Sequence, residues 1–250
     1  MTTRDQAADV SVPTVATVDT GGTGTTYLLI HGIGVSSRYF ERLVPELAQT
    51  GRVIAVDMPG FGGLPKPDRR MTVEDFARSV AGTMDRLGLP PCVIVGHSMG
   101  TQVASNLAIT RPDLVRAVAL IGPVMDPRSR GAVHAALRLG RDTLGESPRA
   151  NRLVIGDYLR CGIRWYLKVL PSMLAYRTED DLPEIAVPTL VARGENDPIA
   201  PESWTRSLAA AGPLSRAETI AGGRHLVMHA RPRETAAALS ALAARAQVAG

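Results

Sequence analysis

Gly96-His97-Ser98-Met99-Gly100 stands between a β-branched run, Val93-Ile94-Val95, and an apolar stretch that opens with Gln102-Val103-Ala104. The run before it reads as a strand and the stretch after it as the start of a helix. The chain must therefore reverse within five residues. Two glycines without a Cβ let strand and helix approach closely at that point. The residue between them is left with a strained backbone, and its hydroxyl is lifted into open space above the helix N-terminus.

The rest of the chain supplies a frame for this reversal. Apolar strands are predicted at 26–30, 52–56, 93–95, 115–121, 187–192 and 217–220, with a short extended piece at 12–18. Helices are predicted at about 38–49, 72–87, 102–110, 202–211 and 233–246, and Thr72 with Asp75 reads as a capping box. Strands that are apolar on both faces and alternate with helices imply a parallel sheet covered on both sides. The alternation pauses between 123 and 185, where only helical stretches appear, at 132–143, 151–158 and 162–176. The predicted organisation is one α/β core built from 1–122 and 186–250, with 123–185 inserted as a helical cap over the C-terminal edge of the sheet, where ligands bind in open α/β folds.

Composition excludes several classes. The chain has 28 Lys plus Arg against 24 Asp plus Glu, a scattered excess too small for a nucleic-acid groove. Cys92 and Cys161 lie far apart and outside any metal-type spacing, and Cys92 opens an apolar strand, so a buried thiol is expected there. Residues 1–9 are polar and lack the apolar core of a signal peptide, and no apolar run reaches the ~18 residues of a membrane span. A cytoplasmic protein with no membrane or nucleic-acid partner is expected.

A serine hydroxyl needs a base within hydrogen-bond reach, and that base needs an orienting acid. Asp197, in Arg193-Gly194-Glu195-Asn196-Asp197-Pro198, and His225, in Gly222-Gly223-Arg224-His225, both follow strands and converge on the sheet edge that carries Ser98. Asp197 could instead cap the helix starting near Pro201. Asp126 and Glu195 are rival acids, and His229, placed at the start of the last helix, is a rival base. His31 reads as shaping the loop after its strand rather than carrying protons, and His134 as a solvated or packing histidine of the cap. No pair of histidines shows ligand spacing with a carboxylate, so neither metal nor cofactor is expected.

These motifs, together with His31-Gly32-Ile33-Gly34 and Asp57-Met58-Pro59-Gly60-Phe61-Gly62, resemble the α/β-hydrolase fold family in its capped, lipase- and esterase-like branch. The resemblance covers nearly the whole chain. It implies Ser98 as nucleophile, His225 as base and Asp197 as orienting acid, with the backbone N–H groups of Ile33 and Met99 as oxyanion donors. It further implies a hydrolase acting on a small-to-medium apolar ester or lactone. Alternatives on the same scaffold are a carbon–carbon bond hydrolase of the ring-cleavage type, a thioesterase, and a lyase or cofactor-free oxygenase. Ring-cleavage hydrolases tend to carry tryptophan just after the histidine, where this chain has Leu226. In the cap, Arg138 and Asp142 are spaced to pair, Arg160 and Arg164 are candidates to meet substrate, and Trp165, Tyr166, Leu170 and Met173 form a stripe at helical spacing.

Overall fold

The computed structural model describes residues 12–129, 131 and 145–248. The predicted stretch 132–143, with His134 and the Arg138–Asp142 spacing, lies outside them, as do residues 1–9.

Seven strands form one sheet: β1 (Val15–Asp19), β2 (Thr25–Ile30), β3 (Gly51–Asp57), β4 (Cys92–His97), β5 (Val115–Ile121), β6 (Thr189–Gly194) and β7 (Ser215–Ile220), in the spatial order β1-β3-β2-β4-β5-β6-β7. The edge strand β1 runs antiparallel to β3 and every other pairing is parallel. Between β2 and β4 the winding reverses. Such a switch point opens a crevice at the carboxyl ends of the strands. Ile33 follows β2 and Ser98 follows β4, on either side of that crevice.

The helices are α1 (Val44–Leu47), α2 (Val73–Arg86), α3 (Met99–Thr110), α4 (Pro148–Cys161), α5 (Ile163–Ala175), α6 (Thr178–Asp181), α7 (Glu202–Ala211), α8 (Val227–Ala230) and α9 (Pro232–Val248). Alternation along the strands divides the core in two. Leu28, Ile30, Ile94, Val118 and Leu120 pack with α2, α3 and α7. Tyr27, Leu29, Val93, Val95 and Ala119 pack with α9 and with Phe40 and Leu47. The capping box forms as expected: the Asp75 N–H donates to Thr72 Oγ1 (3.2 Å), and the Thr72 N–H to Asp75 Oδ2 (3.0 Å).

One expectation fails. The helix expected over 38–49 is instead a 3-10 turn, Ser37–Phe40, followed by the short α1. Pro45 lacks an N–H and its ring collides with the preceding turn, so a helix can start at this residue but cannot run through it. Between β5 and β6 the described residues hold α4, α5 and α6.

Candidate active site

Ser98 joins β4 to α3 with φ 55° and ψ −122°. Among the described non-glycine residues, Met125 alone shares a positive φ. Such a backbone costs on the order of 1–3 kcal/mol and persists where its surroundings hold it. Here the Ser98 N–H donates to the Ile121 carbonyl (3.0 Å), and the Thr101 hydroxyl donates to the Ser98 carbonyl (2.6 Å). A Cβ on Gly96 would clash with the Gly100 carbonyl, and one on Gly100 with the carbonyls of Ile30 and His31. Both positions thus require glycine because backbone meets backbone. A Cβ on Gly32 would stand 2.9 Å from Ser98 Cβ and 3.4 Å from its Oγ. The loop after β2 therefore lies against the serine. Ile33 is the next residue of that loop and Met99 the first of α3, where an N–H has no acceptor within the helix.

On the other side of Ser98, the loops after β6 and β7 meet. Asp197 Oδ2 lies 2.9 Å from His225 Nδ1. Asp197 Oδ1 accepts from the N–H groups of Ile199 (2.8 Å) and Ala200 (3.1 Å). Turn-capping and pairing with histidine are thus not alternatives, since each oxygen does one. Burial pushes the Asp197 carboxyl up, but His225 and the N–H groups of Ala200 and Ile199 outweigh it and hold it below the ordinary carboxylate range. A carboxylate at Nδ1 fixes the ring hydrogen there and leaves Nε2 as the acceptor of the neutral imidazole. Buried Arg193 braces this loop, donating to the carbonyls of Ala200 (2.6 Å), Glu195 (3.0 Å) and Asp197 (3.2 Å).

The rivals are occupied elsewhere. Both carboxylate oxygens of Asp126 are taken by Arg128 (3.0 and 3.1 Å). Glu195 accepts from the Gly222 N–H (2.8 Å). His229 sits in α8 rather than at the start of α9, and its Nε2 faces Glu41 at 3.6 Å. His31 has both ring nitrogens on backbone: Nδ1 donates to the Gly32 carbonyl (2.7 Å), and Nε2 accepts from the Met58 N–H (3.0 Å). Burial pushes the thiols of Cys92 and Cys161 up to about 12 and about 11, so neither is a nucleophile near neutral pH. Among the described residues no cluster of His, Cys, Asp and Glu could hold a metal ion.

Sequence reading missed a buried chain of hydrogen bonds beneath the site. The Gly32 N–H donates to Tyr39 Oη (2.9 Å), Tyr39 Oη pairs with His97 Nδ1 (2.7 Å), and His97 Nε2 pairs with the His225 carbonyl (2.9 Å). A carbonyl only accepts, so His97 carries its hydrogen on Nε2 and Tyr39 must donate to Nδ1. Every direction in the chain is then determined. Burial, aided by His225, pushes His97 down to about 3 and keeps it neutral. Tyr39 and His97 thereby tie the loop before Ile33 to the loop of His225.

The inserted helices lie over the first of these loops. A Cβ on Gly34 would run into the Tyr158 ring and reach Tyr166, and one on Gly60 would run into Trp165. Asp157, buried on α4, accepts from the Ser36 hydroxyl (2.5 Å) and pairs with Arg38 (3.3 Å) and Arg160 (3.6 Å). Trp165, Val169 and Met173 are buried against the core around Phe61, whereas Tyr166 and Leu170 are half-buried. Arg160 and Arg164 are exposed, and Arg160 reaches back to Asp157.

A 2-(acetamidomethylene)succinate hydrolase of Mesorhizobium japonicum is 31% identical over 139 residues, 55% of this chain and only 50% of that relative's own length. An (E)-2-((N-methylformamido)methylene)succinate hydrolase of Acinetobacter baylyi is 25% identical over 88% of this chain and 90% of its own length. Among solved structures, a thermophilic esterase from Thermogutta terrifontis superposes with a TM-score of 0.80 at 24% identity, over 94% of this chain and 97% of its own. The enol-lactonase of Burkholderia xenovorans LB400 gives 0.77 at 22%, over 88% and 92%. These two share its fold. The model of the alpha/beta hydrolase family matches residues 27–238, nearly the whole sheet with its loops, and the chain belongs to that family of hydrolytic enzymes.

Proposed function

We propose that the protein is a serine hydrolase that cleaves a small-to-medium, largely apolar carboxylic ester or lactone through an acyl-enzyme on Ser98. The observation that carries this reading is the buried 2.9 Å contact between Asp197 Oδ2 and His225 Nδ1, across the sheet edge from a serine held at positive φ. His225 Nε2 takes the Ser98 proton as Oγ attacks the carbonyl carbon, and Asp197 stabilises the imidazolium that forms. The oxyanion is received by the N–H groups of Ile33 and Met99, each worth ~10²–10³ in kcat. Collapse expels the alcohol with the proton from His225, and water repeats the sequence to free the acid. Tyr158 and Tyr166 of the insertion lie against Gly34, the residue after Ile33, and this aromatic surrounding favours an apolar acyl or alcohol group.

A second reading comes from the two sequence relatives, whose names give enamides of a methylenesuccinate as substrates. The same three residues would serve amide cleavage. A fluorophosphonate probe is expected to label the wild type and to leave Ser98→Ala unlabelled. Labelling that persists in Ser98→Ala, or a folded wild type that resists the probe, overturns the acyl-enzyme. A panel of p-nitrophenyl esters, lactones and N-acylaminomethylene succinates then separates the two readings by kcat/KM.

A further inference from the structure

The outward faces of α4 and α5 carry side chains that neither the packing of the fold nor the proposed chemistry uses. Ile155, Leu159, Ile163 and Leu167 are 52, 78, 67 and 54% exposed. Among the described residues eight large apolar side chains are exposed, and half of them lie in this short stretch. A spacing of four within each helix puts each pair on one face. Cations flank them. Arg152 and Arg160 are exposed on α4 and Arg164 on α5, and a Cβ on Gly162 at the helix junction would stand 3.6 Å from Lys66 Nζ. Arg160 shares Asp157 with Arg38, whereas Arg152, Arg164 and Lys66 have no carboxylate partner among the described residues. From position 148 to 171 the sequence holds Arg149, Arg152, Arg160, Arg164 and Lys168 against Asp157 alone.

We propose that this face docks the protein on an anionic lipid bilayer. The aliphatic side chains enter the boundary between headgroups and acyl chains, and Arg152 and Arg164 meet lipid phosphates. Charge decides the occupant. A second copy seated on the same face about a two-fold axis would set one cationic face against another. A neutral apolar partner would desolvate the cations with nothing in return. An anionic bilayer satisfies both the aliphatic and the cationic half. No helix among the described residues is long and apolar enough to cross a membrane, so the contact is peripheral. It departs from the expectation of no membrane partner, which rested on the lack of a span. The inner faces of the same helices meet Gly34 and Gly60, so docking brings the Ser98 site near amphiphilic molecules without filling it.

The test is co-sedimentation with phosphatidylglycerol vesicles and with phosphatidylcholine vesicles, without substrate, so that its outcome is separate from that of the esterase reading. The wild type is expected to pellet with the first and stay in solution with the second, and to bind less at about 0.5 M salt, where the screening length falls to about 4 Å. Leu159→Ser with Ile163→Ser is expected to weaken binding at least ~10-fold, from lost apolar insertion. Arg152→Ser and Arg164→Ser should each cost about fivefold. Circular dichroism and the melting temperature check that the variants fold. The arginine variants alone decide the matter should the double variant not fold. Failure of the wild type to bind at low salt, equal binding to both vesicles, or unchanged binding by the folded variants overturns the proposal. So does a concentration-dependent dimer in light scattering that Leu159→Ser with Ile163→Ser dissolves, which would assign the face to a second copy.

Discussion

The loops at the sheet edge and the helices inserted above them are held by different physics. At the edge, Asp197, His225, Tyr39, His97, His31 and Arg193 are buried and joined by hydrogen bonds to one another or to backbone. Moving one of them leaves others unpaired, so the arrangement is rigid. The insertion is held by one apolar face, through Trp165, Val169 and Met173, and by scattered polar ties. These include Asp157 to Ser36, and Gln102 Nε2 donating to the Met173 carbonyl (2.9 Å). Its other face is exposed. A region fixed by buried hydrogen bonds suits chemistry that needs sub-ångström placement, and a region fixed by apolar packing suits selection among substrates.

Substitutions can break this contrast. The largest effect is expected at the acid: Asp197→Asn should lower kcat ~10⁴-fold by presenting the wrong tautomer, the size of loss seen for the same change in a Ser-His-Asp protease. Asp126→Asn should leave it within about threefold, because Arg128 occupies that carboxylate. Steady-state kinetics of the two variants checks the assignment, and the reverse ranking would transfer the role to Asp126. Next comes Tyr39→Phe, which leaves the Gly32 N–H and His97 Nδ1 buried and unpaired, a loss of ~1–3 kcal/mol for each orphaned group. Urea denaturation should show it. Kinetics should show kcat falling with KM little changed, since the tie runs to the loop of Ile33 and not to the insertion.

On the insertion side, Asp157→Ala removes the acceptor for the Ser36 hydroxyl and should cost ~1–3 kcal/mol. Its kinetic signature is expected to be the opposite split, with KM raised more than kcat is lowered. An equal split in both variants would erase the distinction between the two regions. The gentlest effect is that of pH on stability. Unfolded His97 protonates near 6.5, whereas the folded group resists until about 3. Between those values the unfolded state binds more protons. The contribution of neutral His97 is therefore complete above pH 6.5 and is lost as pH falls through that window, by at most ~1.4 kcal/mol per pH unit. Buried His31, also held below its ordinary value by burial, acts in the same direction. Melting curves from neutral pH to about pH 5 should show a shallower slope in His97→Asn than in the wild type; parallel slopes would remove His97 from the account.

What could be read from the sequence is what is encoded locally. The turn at Ser98 is set by glycines two residues to either side, the Thr72–Asp75 box by a spacing of three, and the positions of Asp197 and His225 by strands that end just before them. Tyr39 was not legible. It falls in an apolar pattern that reads as one face of a helix, and its partner His97 lies 58 positions away. Arg193 was hidden for a related reason: an arginine at the end of an apolar strand gives no sign that it will turn back and serve three carbonyls. The outward aliphatic residues Ile155, Leu159, Ile163 and Leu167 were not singled out, because periodicity finds a face and does not say which way it points.

The direction of the Tyr39–His97 chain has a consequence for how this sequence can drift. Histidine at 97 needs a donor on Nδ1, and the tyrosine oxygen at 39 needs somewhere to place its hydrogen while it receives the Gly32 N–H. Loss of either side chain leaves the other with an unpaired polar atom. Across descendants of this chain the two positions should behave as one inherited character, lost together and regained together. Pairs with tyrosine but no histidine, or histidine but no tyrosine, should be rare.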